Sequence, residues 1–278
     1  MAPTPSWVRA TALVVSRVRV WLRQRRNRLP DPLTPTGCDG IGDMENSLQN
    51  VTFASNGSTA HGYLALPESG RGPGVVVIQE WWGLTSHIAD VANRLAAEGF
   101  VALAPDLYGG ATAHDADEAG KLMHALPVDQ AARDLGGAVD YLLGHDAVTS
   151  STIGAVGFCM GGGFVLVLAA QQGDKIGAAV PFYGVLGEEY PSFANLSAPL
   201  LGHFAQRDAF VSPDGVHALA ATIEQQSGRA PDFRFYPAGH AFFNNENLLG
   251  TYDPEQAAKA WEATLRFLRE HLAAQEHG

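Results

Sequence analysis

One stretch constrains the fold more than any other: IGAVGFCMGGGFVLVLAA, residues 153–170. A short apolar run, a glycine-dense bend and a longer apolar run read as strand, sharp turn and helix. Such a unit belongs in a parallel sheet, because parallel strands need a crossover, usually a helix. The rest of the chain repeats the alternation. GVVVIQE (74–80) reads as a fully buried strand, and SHIADVANRLAAEG (86–99) has helical spacing. FVALAPDLYGG, AAVPFYG, PLLGHFAQRD and FRFYPAGH read as further strands running into loops. Helices are expected over 129–145, 161–172, 216–228 and from Pro254 to about Gln275. Two segments around Asn56-Gly57, VTFAS and HGYLALP, read as an initial strand pair. The stretch 110–128 is the least regular and is expected to be a loop or lid. The expected architecture is α/β, a mostly parallel central sheet with helices on both faces.

At 278 residues, 46% of them hydrophobic, one large core suffices and no second domain is needed. The formal charge of −11 argues against a nucleic-acid groove. That charge is uneven. Residues 1–30 carry seven arginines and no acid, so the remainder carries −18. The arm is too interrupted by arginine to span a bilayer, which takes about 20 mostly apolar residues, and it lacks a secretory cleavage pattern. A basic amphipathic helix at a membrane surface is the alternative reading and is not favoured. Met44 opens MENSLQNVTF where a strand pattern starts, so residues 1–43 are read as an appendage and 44–278 as one domain. Two cysteines, Cys38 and Cys159, make no disulfide framework, and a cytoplasmic, reduced chain is expected. With so few thiols and no HExxH there is no metal-site spacing, and no cofactor is expected.

Sites in parallel α/β sheets form at the carboxyl ends of strands. Glu80, Cys159, Asp208 and His240 all fall at such ends. Cys159 has Gly157 and Gly161 at minus two and plus two, the nucleophile-elbow pattern G-x-S-x-G with cysteine in place of serine. A Cβ at either glycine would collide with the neighbouring strand or helix. The helix N-terminus after the bend favours a thiolate and an oxyanion, with the Met160 N–H as first oxyanion donor. Asp208 and His240 follow in the chain order of α/β-hydrolases, nucleophile, acid, base. His240 would be general base and acid, and Asp208 would orient it. His203, inside a strand, reads as a packed core histidine. Asp214, after Pro213, reads as a helix N-terminal residue rather than the acid. Glu80 is either a salt-bridged structural acid or a site residue. Trp81 and Trp82 are either core packing or one wall of an apolar pocket. The Trp81 N–H is the second candidate oxyanion donor.

Taken together, QEWWGL, DVANRLAAEGFVALAPDLYGG, GAVGFCMGGG, PFYGV and PAGHAF resemble the dienelactone hydrolases, or carboxymethylenebutenolidases, from about residue 48 to 272. The resemblance implies an α/β-hydrolase fold and a cysteine–histidine–aspartate triad that opens a lactone through an acyl-thioester. It implies Cys159 as nucleophile, His240 as base, Asp208 as its partner and Glu80 as activator of the thiol. It also implies two arginines for a substrate carboxylate. One of those positions is Asn244 here, and residues 111–132 contain no arginine for the other. Asn244 and Trp82 are therefore candidate pocket residues for an uncharged substrate. The expected partner is a small-molecule ester or lactone, the expected state a monomer or small homo-oligomer. Two alternatives stand beside this reading: a general small-acyl esterase or thioesterase, and a non-catalytic binding module with a redox-sensing cysteine.

Overall fold

The buried strand GVVVI, Gly74–Ile78 (β3), lies at the heart of an eight-stranded sheet ordered β1-β2-β4-β3-β5-β6-β7-β8. The computed structural model describes residues 48–55, 57–185 and 191–272, so the arm predicted over 1–43 lies outside the described residues. Val51–Ser55 (β1) and Ser58–Ala65 (β2) form the expected antiparallel hairpin, closed by the pair Ser55 and Ser58. Strand β2 pairs antiparallel with Val101–Pro105 (β4). All later pairings are parallel, through Ile153–Phe158 (β5), Ile176–Phe182 (β6), Leu201–Ala205 (β7) and Asp232–Tyr236 (β8). Strands β3, β4 and β5 are buried at every position, as expected of strands covered on both faces.

Helices cover both faces. Ser86–Ala97 (α1) and Pro254–His271 (α6) place Ile88, Val91, Leu95, Ala260 and Leu268 in one core layer. Val128–Leu143 (α3), Met160–Gln172 (α4) and Pro213–Ser227 (α5) place Leu135, Val139, Val165, Leu219 and Ile223 in the other. Each buried valine, leucine or isoleucine contributes roughly 1.5–3 kcal/mol relative to an exposed one. Helix α4 buries every residue from Gly161 to Ala170, so it has no polar face.

One expectation fails. The stretch 110–128 is not a plain loop, for Ala116–Ala125 forms a further helix (α2). Asp115 caps it by accepting from the Asp117 and Glu118 amides, and only Ala119, Gly120 and Met123 are buried. So narrow an apolar stripe, one member of it a glycine, leaves little helical periodicity to read.

Candidate active site

Cys159 directly follows β5 and caps α4 at φ 52° and ψ −117°. A residue other than glycine held there costs of order 1–3 kcal/mol, so its surroundings must impose the conformation. They do. Its N–H donates to the Phe182 carbonyl at 3.0 Å, and its carbonyl accepts from the Gly162 and Gly163 amides. A Cβ at Gly157 would strike the Gly161 carbonyl, and one at Gly161 would strike the carbonyls of Ile78 and Gln79. The first turn of α4 therefore sits directly on the end of β3, which sets Glu80 and Trp81 beside the elbow. The first amide of a helix has no intrahelical acceptor. Neither Met160 N–H nor Trp81 N–H has a backbone acceptor among the described residues.

His240 lies beyond β8 and reaches back over the sheet end. Its Nε2 is 3.2 Å from Cys159 Sγ, and its Nδ1 is 2.9 Å from Asp208 Oδ2. Asp208, beyond β7, accepts from the Phe210 and Val211 amides at Oδ1, at 2.8 and 2.9 Å. Both of its oxygens are thereby fixed. Thr251 Oγ1 donates to the His240 carbonyl, and the rings of Phe210 and Tyr183 stand edge-on to the imidazole at 4.8 and 5.2 Å. Burial alone would lower the His240 pKa. The Asp208 carboxylate and the charge on Cys159 oppose it, with hydrogen bonds to both, and the net position is well above the ordinary 6.5.

Glu80 is 2% exposed, and its carboxylate is held by neutral donors. Tyr183 OH donates to Oε1 at 3.0 Å and Asn244 Nδ2 donates to Oε2. Among the described residues no ion pair reaches it. Of the two readings open for Glu80, a salt-bridged structural acid is the one these contacts do not support. Asn244 is itself buried and its Oδ1 accepts from the Glu246 amide at 2.9 Å, so both ends of its side chain are taken up by the protein. Trp81 and Trp82 pack edge-on at 4.8 Å and both join the core, and Trp82 also lines a narrow cavity together with Asn244 and Leu249.

Two tyrosines escaped the sequence analysis. Tyr183, fully buried at φ 36°, bridges Glu80 and the His240 ring. Burial first, then the Glu80 carboxylate, raises its pKa well above 10.0, so it remains a hydrogen-bond donor. Tyr108 donates to Met160 Sδ at 3.6 Å, and burial followed by the charge on Cys159 raises its phenol too. Both stand in quoted motifs, PDLYGG and PFYGV, where an aromatic at a strand end reads as packing.

The other expectations concern residues away from the elbow. His203 is fully buried between Tyr236 OH (2.8 Å) and Thr264 Oγ1 (3.0 Å), a core histidine as expected. Asp214 is exposed in the first turn of α5, while Ser212 supplies the cap. Among the described residues no cluster could hold a metal ion and no helix is long and apolar enough to cross a membrane.

Comparison with known proteins supplies the family. The family model described as "Dienelactone hydrolase family" matches residues 60–272. A relative from Aquifex pyrophilus, "Protein usf", is 37% identical over 230 residues, covering 81% of this chain and 99% of its own. A Bradyrhizobium protein named as a probable 2-oxo-3-(5-oxofuran-2-ylidene)propanoate lactonase is 32% identical over 238 residues, covering 80% and 94%. The crystal structure of a dienelactone hydrolase-like promiscuous phosphotriesterase, P91, from metagenomic libraries superposes with TM-score 0.70 at 27% identity, covering 80% and 97%. The sheet order, the helices on both faces and these matches agree: the chain has an α/β-hydrolase fold and belongs to the dienelactone hydrolase family of hydrolases.

Proposed function

We propose that the chain hydrolyses uncharged carboxylic esters and lactones through an acyl-thioester on Cys159. The observation that carries this reading is the relay of 2.9 Å and 3.2 Å from Asp208 through His240 to a sulfur on a strained elbow. In the proposed cycle Sγ attacks the carbonyl carbon while the carbonyl electron pair moves onto oxygen, received by the Trp81 and Met160 amides. The ester C–O bond then breaks and His240 gives its Nε2 proton to the departing oxygen. Water next gives a proton to His240 and adds to the thioester. The C–S bond breaks and the carboxylic acid leaves. Asp208 keeps the ring oriented and stabilises its cationic form throughout. Glu80, braced 2% exposed beside the elbow, is assigned to activating the thiol as substrate enters.

The preference for uncharged substrates rests on Asn244, on the absence of arginine from residues 111–132, and on the −18 carried beyond residue 30. A bidentate arginine–carboxylate contact is strong and selective, and an asparagine already donating to Glu80 supplies no equivalent. A small-acyl esterase or thioesterase would use the same steps.

Steady-state hydrolysis of p-nitrophenyl acetate is the direct test. Cys159→Ala and His240→Ala are each expected to lower turnover by several decades, since members of a unit acting together each cost nearly the whole effect. Retention of more than a tenth of wild-type activity by Cys159→Ala overturns the reading. A carboxylated lactone and its methyl ester form the second test, with the methyl ester expected to have the higher kcat/KM.

A further inference from the structure

Three consecutive residues on the loop after His240 each commit their side chain to a different group. Asn244 Nδ2 donates to Glu80 Oε2. Asn245 Oδ1 accepts from His87 Nδ1 at 2.9 Å. Glu246 Oε1 accepts from the Ser86 hydroxyl at 2.8 Å and from the His87 amide at 3.1 Å. Ser86 and His87 open α1, and only the connection 81–85 separates them from Glu80. Residues 244–246 therefore grip that connection at both ends. The grip on α1 is one the helix lacks locally. Its own N-cap residue, Thr85, makes no side-chain cap, and its first turn holds no acid. Unpaired amides and the positive end of a helix favour a carboxylate there, and Glu246 supplies it across 159 positions of sequence.

The Glu246 backbone does the rest. Its amide donates to Asn244 Oδ1 at 2.9 Å. A carboxamide whose oxygen is committed to that amide must turn its nitrogen towards Glu80. The Asn244 N–H donates to the Ala241 carbonyl at 3.0 Å and its carbonyl accepts from the Asn247 amide at 3.2 Å, so the loop is fixed within itself and its seat is set by the contacts to α1. From these contacts we infer that Glu246 is a positioning residue for the reaction. By fastening the loop to α1 it holds the Asn244 carboxamide against Glu80, and so sets how effectively Glu80 activates the Cys159 thiol. The inference rests on the proposed role of Glu80 and deepens it. Its consequence falls on one step, because formation of the acyl-thioester draws on thiol activation whereas its hydrolysis draws on His240 and water.

The test reads the two steps separately with p-nitrophenyl acetate. With enzyme in excess, release of p-nitrophenolate reports acylation, and decay of the acetyl-enzyme, followed by intact mass, reports deacylation. Glu246→Ala is expected to slow acylation about tenfold, within what a displaced group near the chemistry costs, and to leave deacylation unchanged. Glu246→Gln keeps an oxygen acceptor for Ser86 and His87 and is expected to restore most of the rate. Ser86→Ala removes one of the two donors at an exposed position and is expected to give a smaller loss of the same kind, which keeps the test decisive should Glu246→Ala fail to fold. Adding Glu246→Ala to Asn244→Ala is expected to slow acylation no further, since the two act in series. Equal slowing of both steps, full additivity with Asn244→Ala, or unchanged acylation in Glu246→Ala and Ser86→Ala overturns the positioning role and leaves the hydrolase reading standing. A wild type that releases no more p-nitrophenolate than Cys159→Ala overturns both.

Discussion

Asn244 donates its amide to the carboxylate of Glu80 across 164 positions of sequence. The contact ties the end of β3 to the loop that carries His240, and Tyr183 closes it from β6. A buried carboxylate satisfied only by neutral groups depends on keeping both donors, because an acceptor left unpaired inside a protein costs about 1–3 kcal/mol or more when charged.

Replacing Asn244 therefore has a graded outcome. Asn244→Ala is expected to lower stability by about 1–3 kcal/mol, measured by urea unfolding. Asn244→Asp, which sets a second carboxylate against Glu80, is expected to cost more than alanine at pH 8 and to recover when the pH is lowered towards 4. Equal stability of the two variants at pH 8 would remove the bracing role.

His240 gives a pH signature in the alkaline direction. Its folded-state pKa lies well above the ordinary 6.5, set against burial by Asp208 and Cys159. A histidine raised in this way stabilises the fold fully below the unfolded value, and that contribution fades as pH rises through the folded one. The rate is expected to follow the same proton, since in the proposed cycle it passes to the departing oxygen. The descending limb of kcat/KM should thus lie well above pH 6.5 and move downward in Asp208→Asn, which keeps the amide-accepting oxygen but removes the charge. A limb that stays in place would separate the proton donor from this pair.

His203 gives the opposite signature. Desolvation lowers its pKa to about 3, with Arg234 a smaller contributor. Between the unfolded value near 6.5 and about 3 the unfolded chain binds the extra proton, so stability falls as pH falls through that window. His203→Gln retains hydrogen-bonding ends for Tyr236 and Thr264 without this titration. The variant is expected to be less stable at pH 7 yet to lose less between pH 6 and 4, with wild-type kcat once folded. Chemical unfolding at three pH values checks it.

Much of this was legible because some residues report on backbone geometry. Gly157 and Gly161 announce an elbow wherever they flank a nucleophile, and apolar runs such as GVVVI announce strands buried on both faces. Strand ends then place Cys159, Asp208 and His240 on one edge of the sheet. Helix α2 was lost because its buried face is only three residues wide. The Tyr183–Glu80–Asn244 brace was lost for a different reason. Its members come from three separated segments, and no local pattern distinguishes a tyrosine that packs from one that packs and donates.

The conformation at Cys159 belongs to its main chain. The carbonyls of Phe182, Ile78 and Gln79 and the missing side chains of two glycines impose φ 52°, and the sulfur contributes nothing to that. Identity and posture at this position are consequently separable traits. A serine placed at 159 would inherit the same half-buried perch, the same helix amides behind it and the same imidazole in front. The fold can exchange the element it presents to the histidine, sulfur for oxygen, without rebuilding anything, whereas a single methyl group at Gly157 or Gly161 would dismantle the perch for either.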